Sequence, residues 1–169
     1  MSTKRLFFAL WPDDRQRGRL RDVINSVAKT VEGRAVDRRN WHITLCFIGE
    51  FEESQIPELQ EIASRIQVEP FRLSFDRMEF WARAKIASLV AATVPTELQD
   101  LVDSLNGVLQ VVGIVPEDRN FRPHITVSRN ARSFATERLT QRATTEWSSF
   151  QLMESVSGPG GVSYNPLKQ

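Results

Sequence analysis

The sequence predicts an α+β fold built from two similar lobes. Amphipathic helices are mixed with short apolar strands. The order strand, helix, loop, strand occurs twice, and the closing strand of each pass opens on the same tripeptide, His-Ile-Thr. At 169 residues, with 41% hydrophobic and 25% charged side chains, the chain has the size and make-up of one globular domain. The expected layout is a single domain over 1–169 with two pseudo-symmetric lobes.

The elements follow in order. Leu6 to Trp11 is an apolar run ended by Pro12, which predicts a buried strand. Asp13 or Asp14 can cap the next helix, whose apolar face is Leu20, Val23, Ile24, Val27 and Val31. His42 to Ile48 reads as a strand closed by Gly49, and Ser54 as the start of a helix carrying Ile56, Leu59, Ile62, Ala63 and Ile66 on one side. Phe71 to Phe75 alternates with period two, as a half-buried strand does. Ile86 to Ala92 is a further strand. Pro95 then starts the helix of Leu98, Leu101, Val102, Leu105, Val108, Leu109 and Val112, with Gly113 as its C-terminal stop. After a loop over 116–123 comes the strand His124 to Ser128. Phe150–Val156 and Val162–Leu167 form a closing hairpin about Gly158-Pro159-Gly160-Gly161. Outside the two tripeptides the halves share little sequence, so the duplication is one of architecture.

The chain holds two histidines, and each is followed two positions later by a threonine. With ten threonines in the chain, chance alone gives that double match at about 0.4%. Side chains i and i+2 share one face of a strand, so His42 and Thr44 point one way while Ile43, Leu45 and Phe47 point to a core. His124 and Thr126 stand likewise against Ile125 and Val127. Two imidazoles with ordinary pKa near 6.5 suit opposed general-acid and general-base roles, and two hydroxyls suit the oxygens of one phosphate. A lone strand histidine is more often structural; the matched pair reverses that reading.

Other chemistries have little support. Two histidines without further ligands at recognisable spacing do not make a zinc site, so no metal is expected. Cys46 lies inside a strand and reads as a packed small residue; a single cysteine allows no intrachain disulfide. No phosphate-binding glycine loop or dinucleotide fingerprint is present, and no cofactor is expected. The net charge of +1 argues against coating nucleic acid by bulk electrostatics, while a local basic cleft stays open. The apolar run at 6–11 is too short for a membrane span or signal core, which makes the cytoplasm the default location.

The motifs and their flanks resemble the 2H phosphoesterase superfamily, and within it the bacterial and archaeal RNA 2′,3′-cyclic phosphodiesterases, once called 2′-5′ RNA ligases. The resemblance runs through Arg5–Leu10, Asn40–Glu50, Phe121–Arg129 and the hairpin at Glu154–Tyr164. It implies two antiparallel sheets flanking a V-shaped cleft, with helices outside. It implies metal-free hydrolysis of a terminal 2′,3′-cyclic phosphate to a 2′-phosphomonoester, with His42 as proton donor and His124 as proton acceptor. Thr44 and Thr126 would hold phosphate oxygens, and a reverse reaction would join tRNA halves through a 2′-5′ bond. The implied partners are RNA 3′ ends or nucleotides bearing the cyclic phosphate, met by a monomer. Arg129 matches a family arginine and is a candidate phosphate contact, although strict alternation from His124 turns it away from the cleft. Arg122 and Arg119 are rival anion contacts. Phe8 and Phe47 are candidate stacking platforms for a base, or ordinary core aromatics. Arg38 and Arg39 depart from the neutral or acidic residues usual before the first motif. The alternatives are an RNA-end binding module without turnover, or a sibling esterase for a small cyclic phosphate or a 2′-5′ oligonucleotide.

Overall fold

A computed structural model describes residues 1–168. Asp13 caps the first helix, α1 (Asp14–Ala28): its carboxylate accepts from the Gln16 amide at 2.8 Å while the Gln16 side chain takes the Asp13 N–H at 2.7 Å. This reciprocal box fixes the helix start. Helix α2 (Ile56–Ser64) begins two residues later than Ser54 suggests, because a 3₁₀ turn over Glu53–Gln55 precedes it and Pro57 occupies its first turn. Helix α3 (Thr96–Val111) ends at Gly113, whose φ of +84° lets the Ile114 amide reach the Leu109 carbonyl at 2.8 Å.

The strands are β1 (Thr3–Leu10), β2 (Arg34–Ala35), β3 (Ile43–Glu52), β4 (Phe71–Trp81), β5 (Ile86–Val90), β6 (His124–Arg129), β7 (Glu137–Trp147), β8 (Gln151–Gly158) and β9 (Gly161–Pro166). They form two antiparallel sheets, ordered β3-β1-β8-β9 and β2-β6-β5-β4-β7. Apart from β2, the two orders match strand for strand: β3 with β6, β1 with β5, β8 with β4, and β9 with β7. The duplication expected from the chain order is thus a real pseudo-twofold in the pairing.

The helices do not stay with their own halves. Helix α1 leaves the first sheet and packs on β7 and β6 of the second, whereas α3 leaves the second sheet and packs on β3 and α2. One continuous core results, with Leu6, Phe8 and Leu10 from β1, Leu73, Phe75 and Met78 from β4, Leu89 from β5, and the apolar stripes of α1 and α3. Full burial of side chains such as Phe8 and Phe75 stabilises the fold by about 2 kcal/mol each.

Strand β7 has no counterpart in the sequence reading. It is an edge strand, exposed along most of its length, and shows alternation only from Ala143 to Trp147. Phe8 is corrected as a stacking candidate: it faces the core and is 0% exposed, so it has no surface to offer a base. Phe47 is corrected as a core residue. It is 55% exposed, for a reason that lies in the strand geometry of the site.

Candidate active site

Pairing of β1 with β3 sets Ala9 opposite Thr44 and Phe8 opposite Cys46, leaving Leu45 as an extra residue. Pairing of β5 with β6 sets Ser88 opposite Thr126 and Ala87 opposite Ser128, leaving Val127 extra. Each motif strand therefore carries a β-bulge at the third residue after its histidine. A bulge inserts one residue and reverses the alternation beyond it. Leu45 and Cys46 both pack toward the core, and Phe47 emerges on the histidine face. The same step in β6 returns Arg129 to the face of His124 and Thr126. Phe47 and Arg129 occupy equivalent places in the two lobes.

The open face of the first sheet carries a small apolar cluster of Phe7, Ala9 and Met153, with Trp11 and Tyr164 packed against it. His42 sits among these aromatics, stacked on Trp11 at 5.1 Å and 15°, with Tyr164 at 5.0 Å and Phe7 at 5.3 Å. Its Nδ1 lies 2.7 Å from the Asn40 carbonyl, an acceptor only, so Nδ1 holds the proton and donates it. Nε2 then bears the lone pair and accepts from the Thr44 hydroxyl at 3.1 Å. On the second sheet, His124 Nδ1 donates to the Arg122 carbonyl at 2.8 Å, which leaves its Nε2 equally free to accept. The Trp81 ring lies 4.1 Å from the His124 ring.

Both imidazoles resist protonation. Burial pushes His42 down to about 4; the Asn40 hydrogen bond opposes this, while His124 and Arg129 add to it. Burial also lowers His124; the hydrogen bond to the Arg122 carbonyl opposes this, the Arg122 guanidinium adds to it, and the Glu79 carboxylate opposes it. The two motif strands lie close together, β3 and β6 approaching within 8 Å between Cα atoms, and His124 is near enough to disfavour the charged form of His42. Arg129, returned to the cleft face by the bulge, adds positive charge that disfavours protonation of His42. Arg122 is already engaged, with Nη2 at 2.8 and 2.9 Å from the Glu79 oxygens. Arg119 pairs with Glu117 at 2.7 Å.

Cys46 packs against the core, and burial pushes its thiol up to about 12, so it has no thiolate to offer at neutral pH. Arg38 and Arg39 line an open groove of about 580 Å³ with Arg21, Asn25, Val36, Asp37 and Trp41. None of the cleft side chains borders it, and the Asp37 carboxylate holds Arg39 at 3.0 Å. Among the described residues no group of three or more His, Cys, Asp or Glu side chains is placed to hold a metal. No helix among them is long and apolar enough to cross a membrane.

Sequence reasoning missed Trp11, Trp81, Tyr164 and Glu79. Trp11 and Trp81 are paired in role, each covering one histidine, but they come from non-equivalent strands. The symmetry of the tripeptides therefore could not point to them.

Two sheets related by a pseudo-twofold, each presenting a His-Ile-Thr strand to a common cleft, define the two-histidine class of phosphoesterases. The family model described as LigT like Phosphoesterase matches residues 10–91. An Escherichia coli RNA 2′,3′-cyclic phosphodiesterase is 31% identical over 141 residues, covering 81% of this chain and 78% of that one. One from Archaeoglobus fulgidus is 27% identical over 176 residues, covering 97% and 98%. The chain belongs to the LigT-like phosphoesterase family. Its fold superposes on the E. coli LigT structure in apo form with a TM-score of 0.87 at 30% identity, over 99% of this chain and 96% of that one. The E. coli LigT structure complexed with 3′-AMP gives 0.86 at 29% identity, over 99% and 97%.

Proposed function

We propose that this protein hydrolyses 2′,3′-cyclic phosphodiesters at RNA 3′ ends or on nucleotides, leaving a 2′-phosphomonoester. The observation that carries the proposal is that each lobe supplies one imidazole whose Nδ1 is held by a backbone carbonyl, which leaves Nε2 of each as the nitrogen that can exchange a proton. Family relatives named for this reaction, and a LigT structure holding 3′-AMP, support it.

In this reaction His124 Nε2 takes a proton from water as its oxygen attacks phosphorus. The bond from phosphorus to the 3′ oxygen breaks, and protonated His42 supplies a proton to that oxygen. His42 is neutral in the free protein, so the negative charge of the bound phosphodiester has to draw a proton onto it, offsetting Arg129 and the aromatic walls. Thr44 and Thr126 donate to the non-bridging oxygens once substrate is bound. Arg129 is the proposed charge contact, because Arg122 is occupied by Glu79. Phe47, exposed beside Phe7 at a ring distance of 6.4 Å, offers the surface for a base. One chain supplies every group in this scheme, which supports action as a monomer, and the cytoplasm is the proposed place of action. The reverse step would join RNA ends through a 2′-5′ bond.

The test is incubation with a 2′,3′-cyclic nucleotide and with a short RNA ending in the cyclic phosphate, with and without EDTA, products read by phosphorus NMR. A 2′-phosphate formed at equal rate in both conditions is expected. A 3′-phosphate product, or binding of both ligands without turnover, overturns the proposal.

A further inference from the structure

The open face of the second sheet carries a carboxylate that the proton-transfer scheme does not use. Along β4 the core takes Met78 and Phe80, so Arg77, Glu79 and Trp81 stand on the opposite side. The register of β4, β5 and β6 sorts that side into three rows: Arg77–Val90–His124, Glu79–Ser88–Thr126 and Trp81–Ile86–Arg129. Glu79 thus shares a row with one motif threonine, and its side chain is only 15% exposed.

Its contacts converge on the histidine. Glu79 Oε1 accepts from the Trp81 indole N–H at 3.1 Å, and both its oxygens accept from Arg122 Nη2. The Arg122 guanidinium lies over the Trp81 ring, 5.1 Å from its centroid. Trp81 in turn packs on the His124 ring, and the Arg122 carbonyl holds His124 Nδ1. The two groups that fix the ring are therefore both tied to one carboxylate. A histidine held in one tautomer and one orientation by its neighbours is the arrangement proton transfer needs. The other lobe lacks this device: His42 is held by Asn40 and stacked on Trp11, with no carboxylate among its close partners in the described residues.

We propose that Glu79 is a positioning residue of this active site, orienting His124 through Arg122 and Trp81. The role rests on the phosphodiesterase reading for its catalytic consequence but on geometry alone for its effect on the ring. Other charged groups near His124 are His42 across the cleft, Arg129 on its own strand, and Arg77, which pairs with Asp76 at 3.1 Å.

The test compares the wild type with Glu79→Gln, Glu79→Ala and Glu79→Asp. The imidazole resonances of His124 and His42 are followed against pH by nitrogen-detected NMR on the free protein, beside kcat and KM for a 2′,3′-cyclic nucleotide. Gln keeps an acceptor for Trp81 but removes the charge that favours a protonated His124. Its His124 titration is expected at lower pH than wild type, with His42 unmoved. Turnover should fall by about tenfold with KM within about twofold, further in Ala, and recover in part in Asp. His124 titrating as in the wild type in both Gln and Ala would overturn the proposal, as would a shifted titration with unchanged kcat. Should the wild type prove inactive on every cyclic phosphate, the proposed function fails. The imidazole nitrogen shifts, which show whether His124 keeps its proton on Nδ1 in the variants, still decide whether Glu79 orients the ring.

Discussion

Acidification offers a direct measure of how tightly the fold encloses His42. In the unfolded chain this imidazole has its ordinary pKa near 6.5, and in the folded protein burial among Trp11, Tyr164 and Phe7 holds it at about 4. Between those values the unfolded chain binds a proton that the folded protein refuses, so stability falls as pH drops from 6.5 toward 4. Going from pH 7 to pH 5, the loss from this one residue is about 2 kcal/mol, and it approaches about 3 kcal/mol below pH 4. His42→Gln removes the titration while keeping an amide that can donate to the Asn40 carbonyl. Urea unfolding, followed by the fluorescence of the four tryptophans, is run on both proteins at pH 7 and pH 5. The wild type should lose about 2 kcal/mol more than the variant over that interval. Contributions from the carboxylates are common to both proteins and cancel, and that of His124 differs only by its weak coupling to His42. An equal loss in the two proteins would refute the argument that the aromatic walls desolvate His42.

Two further outcomes are expected of the site itself. Replacing either His42 or His124 by Ala should cut turnover of a 2′,3′-cyclic nucleotide by about 10² or more, and Thr126→Val by about 10², with far-UV circular dichroism unchanged. Phe47→Ala should raise KM for nucleotide substrates by about 5- to 150-fold with little effect on kcat, because the stacking surface precedes the chemistry; a small cyclic phosphate lacking a base should show no such change in steady-state assays.

The paired tripeptides were legible because strand alternation needs only local sequence: His42 and Thr44, like His124 and Thr126, stand where period two puts them. The helices were legible for the same reason, since the stripe from Leu98 to Leu109 repeats at helical spacing. What lay beyond local pattern was harder to read. The bulges at Leu45 and Val127 arise from pairing with β1 and β5, and no residue in the motif announces them. They decided the fate of Phe47 and Arg129, which plain alternation sends to the wrong side. Phe8 followed the rule for an apolar strand and lost its candidate role to burial. Glu79 was invisible for another reason: its partners Trp81 and Arg122 lie two and 43 positions away, so only the folded sheet gathers them.

The exchange of helices between sheets bears on how the chain acquires its shape. A fragment ending near residue 85 would contain β1, β3 and α1, but the helix that covers β3 would be missing, as would β5 and β6 of the sheet on which α1 rests. Neither half can close its own core, so cutting the chain at its point of duplication should give two insoluble pieces rather than two small folded ones. Two copies of a single half, however, could cover each other by trading helices. The present molecule has the connectivity of such a swapped dimer joined into one polypeptide. Opening the cleft would require pulling α1 and α3 off the sheets they shield. The separation of the two imidazoles is therefore guarded by the same contacts that keep the protein folded.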